Sequence, residues 1–310
     1  MSETLQVALP ARLYLEQLQQ GAALAGFALA GAIVTAQAGG RRLAVAVESL
    51  ATDAPPAGWQ ARLDQFAELA AGDATPGVLI WLPPGAELPA DDPGMALVVQ
   101  AVQEALHKLQ PGEAGEAALP IRLAIQKRDD TGAYVSALGG LAPHWARFTD
   151  RVNGYFQIDS TQLHRLPGDP AYLDGLVDAL VAASRALAVG QTAFVDALDH
   201  WRVQRLQGGA GCVALGLPPG DESENGAPLR RRLRATVRDV RPALQAAPAD
   251  VRVLLLVGHY ASMEGEPVGP ALRGMDPALF GGLDLVALAA DGAVRTLLDI
   301  TRRTYPPALS

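Results

Sequence analysis

Three stretches of the chain carry residue types that could bind a ligand or take part in chemistry. The first is Gly258-His259, which directly follows the apolar run 251–257 and precedes Glu264. Ligands of α/β proteins bind at the carboxyl ends of strands, so His259 and Glu264 are candidates for binding a ligand or partner. A thiol activated by this histidine would have to lie within hydrogen-bond distance of it.

The second stretch is an arginine-rich helix predicted over residues 229–241. Guanidinium groups bind carboxylates and phosphates through two parallel hydrogen bonds. Arg231, Arg234 and Arg238 are therefore candidates for an anion site or a partner site. The alternative is that these side chains are solvated, or that they pair with the acidic loop 221–226 before the helix.

The third stretch, residues 141–168, concentrates aromatic and basic side chains in a chain that is only 5% aromatic. Its candidate residues are His144, Trp145, Arg147 and Arg151. They could line a cleft between lobes or stack on single-stranded nucleic acid. The alternative interpretation is that the rings cover the core where the lobes meet.

The arginine-rich helix and the following Leu-Leu-Leu-Val-Gly-His resemble the histidine-bearing strand of caspase-like cysteine peptidases. This resemblance implies a nucleophilic cysteine at the end of the next strand, where the chain has Ala289 and Ala290 instead. The single cysteine, Cys212, precedes the histidine and starts a predicted strand. The sequence is compatible with two interpretations of this resemblance, a degenerate caspase-like protein and a non-catalytic relative.

The C-terminal strands offer a second resemblance. Asp284 and Asp299 are spaced like the acidic residues of PD-(D/E)XK nucleases, which bind a divalent metal that helps activate water. Thr301 stands at the position of the family's lysine, and Arg302 would project from the opposite face of the strand. A diverged metal-dependent nuclease is therefore one alternative, and ordinary polar residues on an edge strand are the other.

Composition limits the classes of function. The 310 residues carry a net charge of −8, which argues against nucleic-acid binding through the overall charge, although a local basic groove would still be compatible. One cysteine and five scattered histidines predict neither a disulfide nor a metal site, and no cofactor is expected. A reducing cytoplasm is the predicted location. The uncharged residues 21–40 are rich in Ala and Gly, which favours a buried helix over a membrane span.

A repeated motif organises the predicted elements. Leu-Pro-Pro-Gly closes the apolar runs 77–85 and 211–220, and each run is followed by a helical stretch and a second apolar run, at 121–126 and 251–257. This pattern predicts an α/β fold of two similar three-layer lobes, made by internal duplication of a strand-loop-helix-strand unit. Alternating strands and helices favour mainly parallel sheets, with antiparallel hairpins at their edges.

The predicted division is an N-terminal α/β lobe over residues 1–140, a helical connecting segment over 141–207 and a C-terminal α/β lobe over 208–310. Helices are also predicted within 11–37 and over 192–206. Residues 133–138 are expected to form a hairpin with the strand 121–126. Asp291-Gly292 predicts a tight hairpin turn between the last two strands.

The leading functional hypothesis is a non-catalytic scaffold or adaptor that binds a protein partner, because no motif supplies a chemically complete site. The alternatives are a hydrolase, of either the nuclease or the caspase-like kind, and a sensor of a small anionic ligand. Such a ligand would bind in a cleft between the lobes, near His259 and Arg147. No membrane partner is expected.

Overall fold

The structure is a computed structural model, and it describes most of the chain. The described residues are 3–19, 25–30, 33–49, 57–71, 76–216, 226–258 and 275–300. Within them the helices are α1 (Glu3–Gln19), α2 (Trp59–Ala71), α3 (Asp92–His107), α4 (Pro170–Ser184) and α5 (Gly226–Ala246). Two short 3-10 helices cover Ala142–Arg147 and Pro277–Phe280.

Twelve strands lie in the described residues. They are β1 (Ala25–Ala30), β2 (Ile33–Ala38), β3 (Arg41–Ser49), β4 (Pro76–Trp81), β5 (Ala114–Asp129), β6 (Ala133–Gly139), β7 (Gly154–Ser160), β8 (Thr192–Ala210), β9 (Cys212–Leu215), β10 (Val251–Val257), β11 (Leu285–Ala290) and β12 (Ala293–Asp299). The fold is therefore a mixed α/β fold, as predicted.

The strands form two six-stranded sheets. Sheet A has the order β1-β2-β3-β10-β11-β12, and sheet B has the order β6-β7-β5-β8-β4-β9. In sheet A, β10 is parallel to β3 and β11, whereas the outer strands pair antiparallel. Sheet B also combines parallel and antiparallel pairs. The prediction of mainly parallel sheets is wrong, because both sheets are mixed.

Successive side chains of β10 point to opposite faces of sheet A, and each face is covered by a different helix. Val253 and Leu255 pack in one buried cluster with residues of α1, and Leu254 and Leu256 pack in another with residues of α5. The α1 cluster also contains Trp81 of β4, so this helix is buried against strands of both sheets. A strand covered on both faces has to be apolar throughout, which is why 251–257 could be recognised from the sequence.

The chain divides into two compact units, unit 1 (Met1–Gly115 and Arg202–Ser310) and unit 2 (Glu116–Trp201). Unit 2 has its own buried cluster, in which alternate residues of β5, β7 and β8 pack against α4. This helix starts at Asp169, whose side chain accepts a hydrogen bond from Ala171 N, and Pro170 occupies its first turn. The predicted boundaries at residues 140 and 207 divide the chain differently and stay a prediction.

The repeated strands lie side by side. β4 and β9 are parallel neighbours in sheet B, with Val78 paired to Cys212 and Trp81 paired to Leu215. The apolar runs that follow them diverge, because β5 belongs to sheet B and β10 to sheet A. The structure therefore does not confirm a duplication into two similar lobes.

Two hairpin strands replace the helix predicted in the second half of 11–37. β1 pairs with β2, and β2 pairs with β3, where Ala38 lies opposite Arg41. Gly39 and Gly40 have φ of 55° and 76° and form the turn of the second hairpin. Alanine has the highest intrinsic helix propensity, but propensity is a weak determinant, and pairing with β3 overrides it here.

The helix predicted over 192–206 is also wrong, since these residues belong to β8. The buried positions of β8 alternate at Ala197, Asp199, Trp201 and Val203, as a strand with one inward face requires. The alternation could not be recognised from hydrophobicity, because one of the buried positions is an aspartate, Asp199. The connecting segment is consequently not mainly helical, because it also contains β7.

The two predicted hairpins have different outcomes. β6 does not pair with β5 but lies parallel to β7, with Ala133 opposite Gly154. The C-terminal hairpin is confirmed. β11 and β12 are antiparallel, and Asp291 and Gly292 have φ of 52° and 77° in the turn between them. No helix in the described part of the chain is long and apolar enough to cross a membrane.

Leu255 tests the importance of the β10 core. Leu255→Ala should lower the free energy of unfolding by about 2–5 kcal/mol, because a fully buried side chain leaves a cavity. The matched control, Leu97→Ala, removes a leucine that is 65% exposed on α3 and should change the unfolding free energy by less than about 0.5 kcal/mol. Urea titration measures both, and equal losses would contradict the assigned core.

Candidate functional site

An exposed group of three aromatic rings lies in unit 2. Tyr134 on β6 is 52% exposed and Trp145 in the 3-10 helix is 47% exposed. The ring of Tyr134 has its centroid 6.3 Å from that of Trp145 and 5.4 Å from that of Tyr155 on β7. These separations place the rings in contact distance of one another. Tyr134, Trp145 and Tyr155 are called the aromatic surface below.

Buried neighbours on the backbone hold Trp145 at the surface. Leu141 and Phe148, which flank the 3-10 helix, are both fully buried in the core of unit 2. The turn is closed by hydrogen bonds from His144 N to Leu141 O and from Phe148 N to Trp145 O. The indole is therefore exposed although the segment that carries it is anchored at both ends.

The aromatic surface continues on the sheet face opposite α4. Phe156 is buried in the α4 core, so its neighbour Tyr155 projects from the other face of β7. Phe194 of β8 is 58% exposed. The guanidinium carbon of Arg122 lies over the Phe194 ring, 4.7 Å from its centroid, and the Nε of Arg122 is 3.7 Å from the Asp196 carboxylate.

The two predicted arginines of this segment have acidic partners. Arg147 donates a hydrogen bond to Asp174, and Arg151 donates one to Asp178. The two aspartates are four residues apart and thus share one face of α4. Both pairs are exposed, so they contribute little to stability, but they largely balance the positive charge of the arginines. Arg147 and Arg151 thus lie beside α4, whereas His144 and Trp145 share the 3-10 helix with Arg147 and the Trp145 ring contacts Tyr134.

A buried carboxylate in unit 2 escaped sequence-based prediction. Asp199 is 3% exposed and accepts hydrogen bonds from His164 N (2.9 Å), Arg165 N (2.8 Å) and Trp201 Nε1 (3.0 Å). The ring Nδ1 of His164 lies 2.9 Å from its Oδ2. A buried aspartate that orients a histidine is a catalytic arrangement when a nucleophile is adjacent. Here the contacts with His164 and Arg165 secure the loop before α4 to β8, and the contact with Trp201 lies within β8, so we interpret Asp199 as a structural anchor.

The predicted arginines of α5 lie in unit 1. Arg231, Arg234 and Arg238 are exposed, whereas Leu233 and Val237 are buried against sheet A. Arg234 and Arg238 line a groove of about 380 Å³ together with residues next to the second 3-10 helix. The helix and its apolar stripe are therefore confirmed, and the role of the arginines in binding stays a prediction.

His259 and Glu264 lie outside the described residues. The chain before them ends β10 at Val257, and Gly258 N donates a hydrogen bond to Ala289 O. Ala289 and Ala290, at the position of the cysteine in the caspase-like resemblance, are fully buried at the end of β11. Among the described residues, these contacts bring no thiol to Gly258.

Asp284 lies at the other end of the same strands. Its Oδ2 accepts a hydrogen bond of 2.7 Å from Arg252 N, at the start of β10. Arg252 and Val257 are five residues apart on one strand, which corresponds to roughly 16 Å. Asp284 and Gly258 are therefore separated by most of the length of β10. Asp299 lies opposite Leu285 on the neighbouring strand.

A small cavity lies in unit 1 where several strands end. It has a volume of about 170 Å³ and is lined by Ser49 at the end of β3, Gly216 after β9 and Gly258 after β10. The side chains of Gln6 and Gln60 line it as well, and both donate hydrogen bonds to Asp64 Oδ1, at 3.2 and 3.0 Å. This position is where open α/β sheets bind ligands.

Comparisons with known proteins show no relationship: no family model matches the chain, and no curated protein or solved structure matches it either. Among the described residues, no group of three or more His, Cys, Asp or Glu side chains is placed to hold a metal ion. The geometry of the described side chains is therefore the only basis for a functional proposal.

Asp199→Asn tests the anchor. Burial raises the pKa of Asp199, but hydrogen bonds from the His164 ring and Arg165 N outweigh it and hold the pKa below its usual value. The carboxylate therefore stabilises the fold fully above the unfolded pKa of about 3.9, and this contribution is lost as pH falls through the lower folded pKa. The variant should be about 2–3 kcal/mol less stable at neutral pH.

The urea-unfolding difference between wild type and Asp199→Asn should be constant above about pH 5 and shrink below about pH 4. The exposed aspartate Asp196 provides the control, because Asp196→Asn should change stability by less than about 0.5 kcal/mol. If the difference in unfolding free energy between wild type and Asp199→Asn grew as the pH fell, the pKa of Asp199 could not be lowered in the folded protein.

Cys212 tests the absence of a thiol nucleophile in the native fold. Burial raises the pKa of this β9 thiol to about 12, so the reactive thiolate is scarce at neutral pH. A thiol reagent should label Cys212 only after unfolding in guanidinium chloride. A second thiol introduced by Leu97→Cys, at an exposed position, should react at once in the native protein. Rapid native labelling of wild type would contradict this assignment.

Proposed function

We propose that this protein is a non-catalytic scaffold or adaptor that binds a partner protein through the aromatic surface of unit 2. The observation that carries the proposal is the contact between the half-exposed rings of Tyr134 and Trp145. Large exposed apolar groups in contact with one another mark interaction sites more often than scattered ones do. Tyrosine and tryptophan are also the residue types that contribute most to binding at protein interfaces.

The surroundings of the aromatic surface match the anatomy of a protein interface. Protein interfaces have an apolar centre and a polar, solvated rim. Arg147 lies two residues after Trp145 in the same 3-10 helix and pairs with Asp174, and Arg151 pairs with Asp178, so the segment that carries Trp145 also supplies polar groups. Since each arginine has its own carboxylate, this region offers little net charge for an anionic ligand. We therefore expect the partner protein to contact the aromatic rings through uncharged groups.

A photocrosslinking experiment tests the proposal while the partner is still unidentified. A photoreactive phenylalanine derivative replaces Tyr134 in the full chain, which is expressed in its natural host and illuminated. We expect one crosslinked protein of defined mass. The matched control carries the same derivative in place of Leu97, which is exposed on α3 of unit 1 and should not yield this product.

Trp145→Ala then tests the contribution of the indole. Removal of an aromatic anchor should weaken binding of the identified partner by about 2 kcal/mol, or about 30-fold in Kd. The same change should cost less than about 1 kcal/mol in unfolding free energy, because the indole is half exposed. The proposal fails if the partner binds Trp145→Ala as tightly as wild type, or if positions 134 and 97 capture the same proteins.

The cavity at the ends of β3, β9 and β10 supports a second candidate function, a sensor of a small ligand. Its described lining contains the amide groups of Gln6 and Gln60, which the Asp64 carboxylate orients. Arg147, which the sequence assigns to this ligand, pairs with Asp174 in unit 2 instead. Stabilisation of the fold by a nucleotide or another metabolite in a thermal-shift screen, lost in Gln60→Leu, would favour the sensor.

The hydrolase alternatives stay predictions without support from the described residues. The nuclease proposal needs Asp284 at a metal, and this side chain instead accepts a hydrogen bond from Arg252 N. The caspase-like proposal needs a thiol near His259, and Cys212 is a buried residue of β9.

A further inference from the structure

One face of α5 carries a row of four arginines, Arg231, Arg234, Arg238 and Arg241, called the arginine row below. Steps of three, four and three residues keep them on one side of the helix, over about 15 Å. The apolar stripe with Leu233 and Val237 points into the core, so the row runs along the solvent side.

Among the residues that the structure describes, acidic partners distinguish five other arginines from the arginine row. Five arginines elsewhere each have a carboxylate within 4.0 Å, in the pairs Arg12–Glu16, Arg42–Asp250, Arg122–Asp196, Arg147–Asp174 and Arg151–Asp178. Within the described part of the chain, no carboxylate lies that close to any side chain of the arginine row. Asp239 follows Arg238 directly and is therefore turned away by about 100° around the helix axis.

An apolar wall accompanies the charge. Arg234 and Arg238 border the groove of about 380 Å³ together with Asp276, Ala278 and Leu279. One carboxylate oxygen of Asp276 accepts a hydrogen bond from Ala278 N at 2.9 Å. The groove therefore combines two guanidinium groups with two apolar side chains and a single acidic residue.

We propose that the arginine row and its groove bind an extended acidic segment of a protein, in which carboxylate side chains alternate with apolar ones. Alternate residues of an extended segment are about 7 Å apart, so three carboxylates span about 13 Å, close to the length of the row. Each carboxylate can accept two parallel hydrogen bonds from a guanidinium. The intervening apolar side chains would contact Ala278 and Leu279.

The charge of the chain favours a short acidic segment over nucleic acid. The net charge of −8 repels a long polyanion, whose field extends well beyond the row. A peptide that carries only a few carboxylates next to the row experiences less of this repulsion. The inference goes beyond the proposed function, because it concerns unit 1 and does not require the aromatic surface.

Fluorescence anisotropy with the full chain tests the inference. The probe is a labelled synthetic peptide with three glutamates at alternate positions and leucines between them, and the control peptide has glutamine in place of glutamate. The charge-reversal variant is Arg234→Glu with Arg238→Glu, and both residues are exposed, so folding should be retained. The matched control is Arg62→Glu with Arg185→Glu, two exposed arginines that give the same change in net charge.

We expect the acidic peptide to bind and the glutamine peptide to bind at least ten-fold more weakly, a loss of the order expected for charge-assisted hydrogen bonds. Reversal of Arg234 and Arg238 should weaken binding of the acidic peptide at least ten-fold, and the control pair should change it less than about two-fold. Arg234→Lys with Arg238→Lys should give an intermediate loss, because lysine keeps the charge but not the paired hydrogen bonds.

Equal losses in the reversal and control variants would overturn the inference, because they would show a general effect of net charge. Labelled single-stranded or double-stranded DNA that binds more tightly than the peptide at the same salt concentration would overturn it as well, in favour of nucleic acid. Trp145→Ala should leave binding of the acidic peptide unchanged, which separates failure here from failure of the aromatic surface.

Discussion

The parallel pairing of β3 with β10 is the contact on which the rest of unit 1 depends. It joins segments far apart in the chain, and at its start Arg42 N donates a hydrogen bond to Asp250, 208 residues later. The chain entropy lost by closing so long a loop grows only slowly with length, but all of it must be offset by contacts that form together. Burial of β10 between α1 and α5 provides those contacts.

Prediction from the sequence succeeded where one local pattern determines the structure. β10 was recognisable because it is apolar at nearly every position, and the C-terminal hairpin because of Asp291-Gly292. It failed where a distant partner decides. The alanines of β1 and β2 favour a helix in isolation, and only their ladder with β3 makes them strands.

The candidate sites show the same dependence on distance along the chain. Of the aromatic surface only Trp145 was predicted, together with its sequence neighbours His144, Arg147 and Arg151, because Tyr134 and Tyr155 reach it through the pairing of β6 with β7. The acidic partners of the two arginines on α4 were not foreseen, since Asp174 lies 27 residues from Arg147. The Asp199 anchor joins residues 35 apart, and nothing near Asp199 in the sequence marks it as buried. An aspartate in a polar stretch is usually exposed, and only the converging donors permit its burial.

The repeated strands have a consequence for how the chain folds. β4 lies between β8 and β9, and two of its residues are larger than those opposite them on β9, with Ile80 beside Ala214 and Trp81 beside Leu215. An exchange of the two strands would put the small Ala214 where Ile80 stands and force Trp81 towards the edge, leaving a void in the centre of the sheet. The difference in size between these paired residues thus favours β4, and not β9, as the strand that fills the position beside β8.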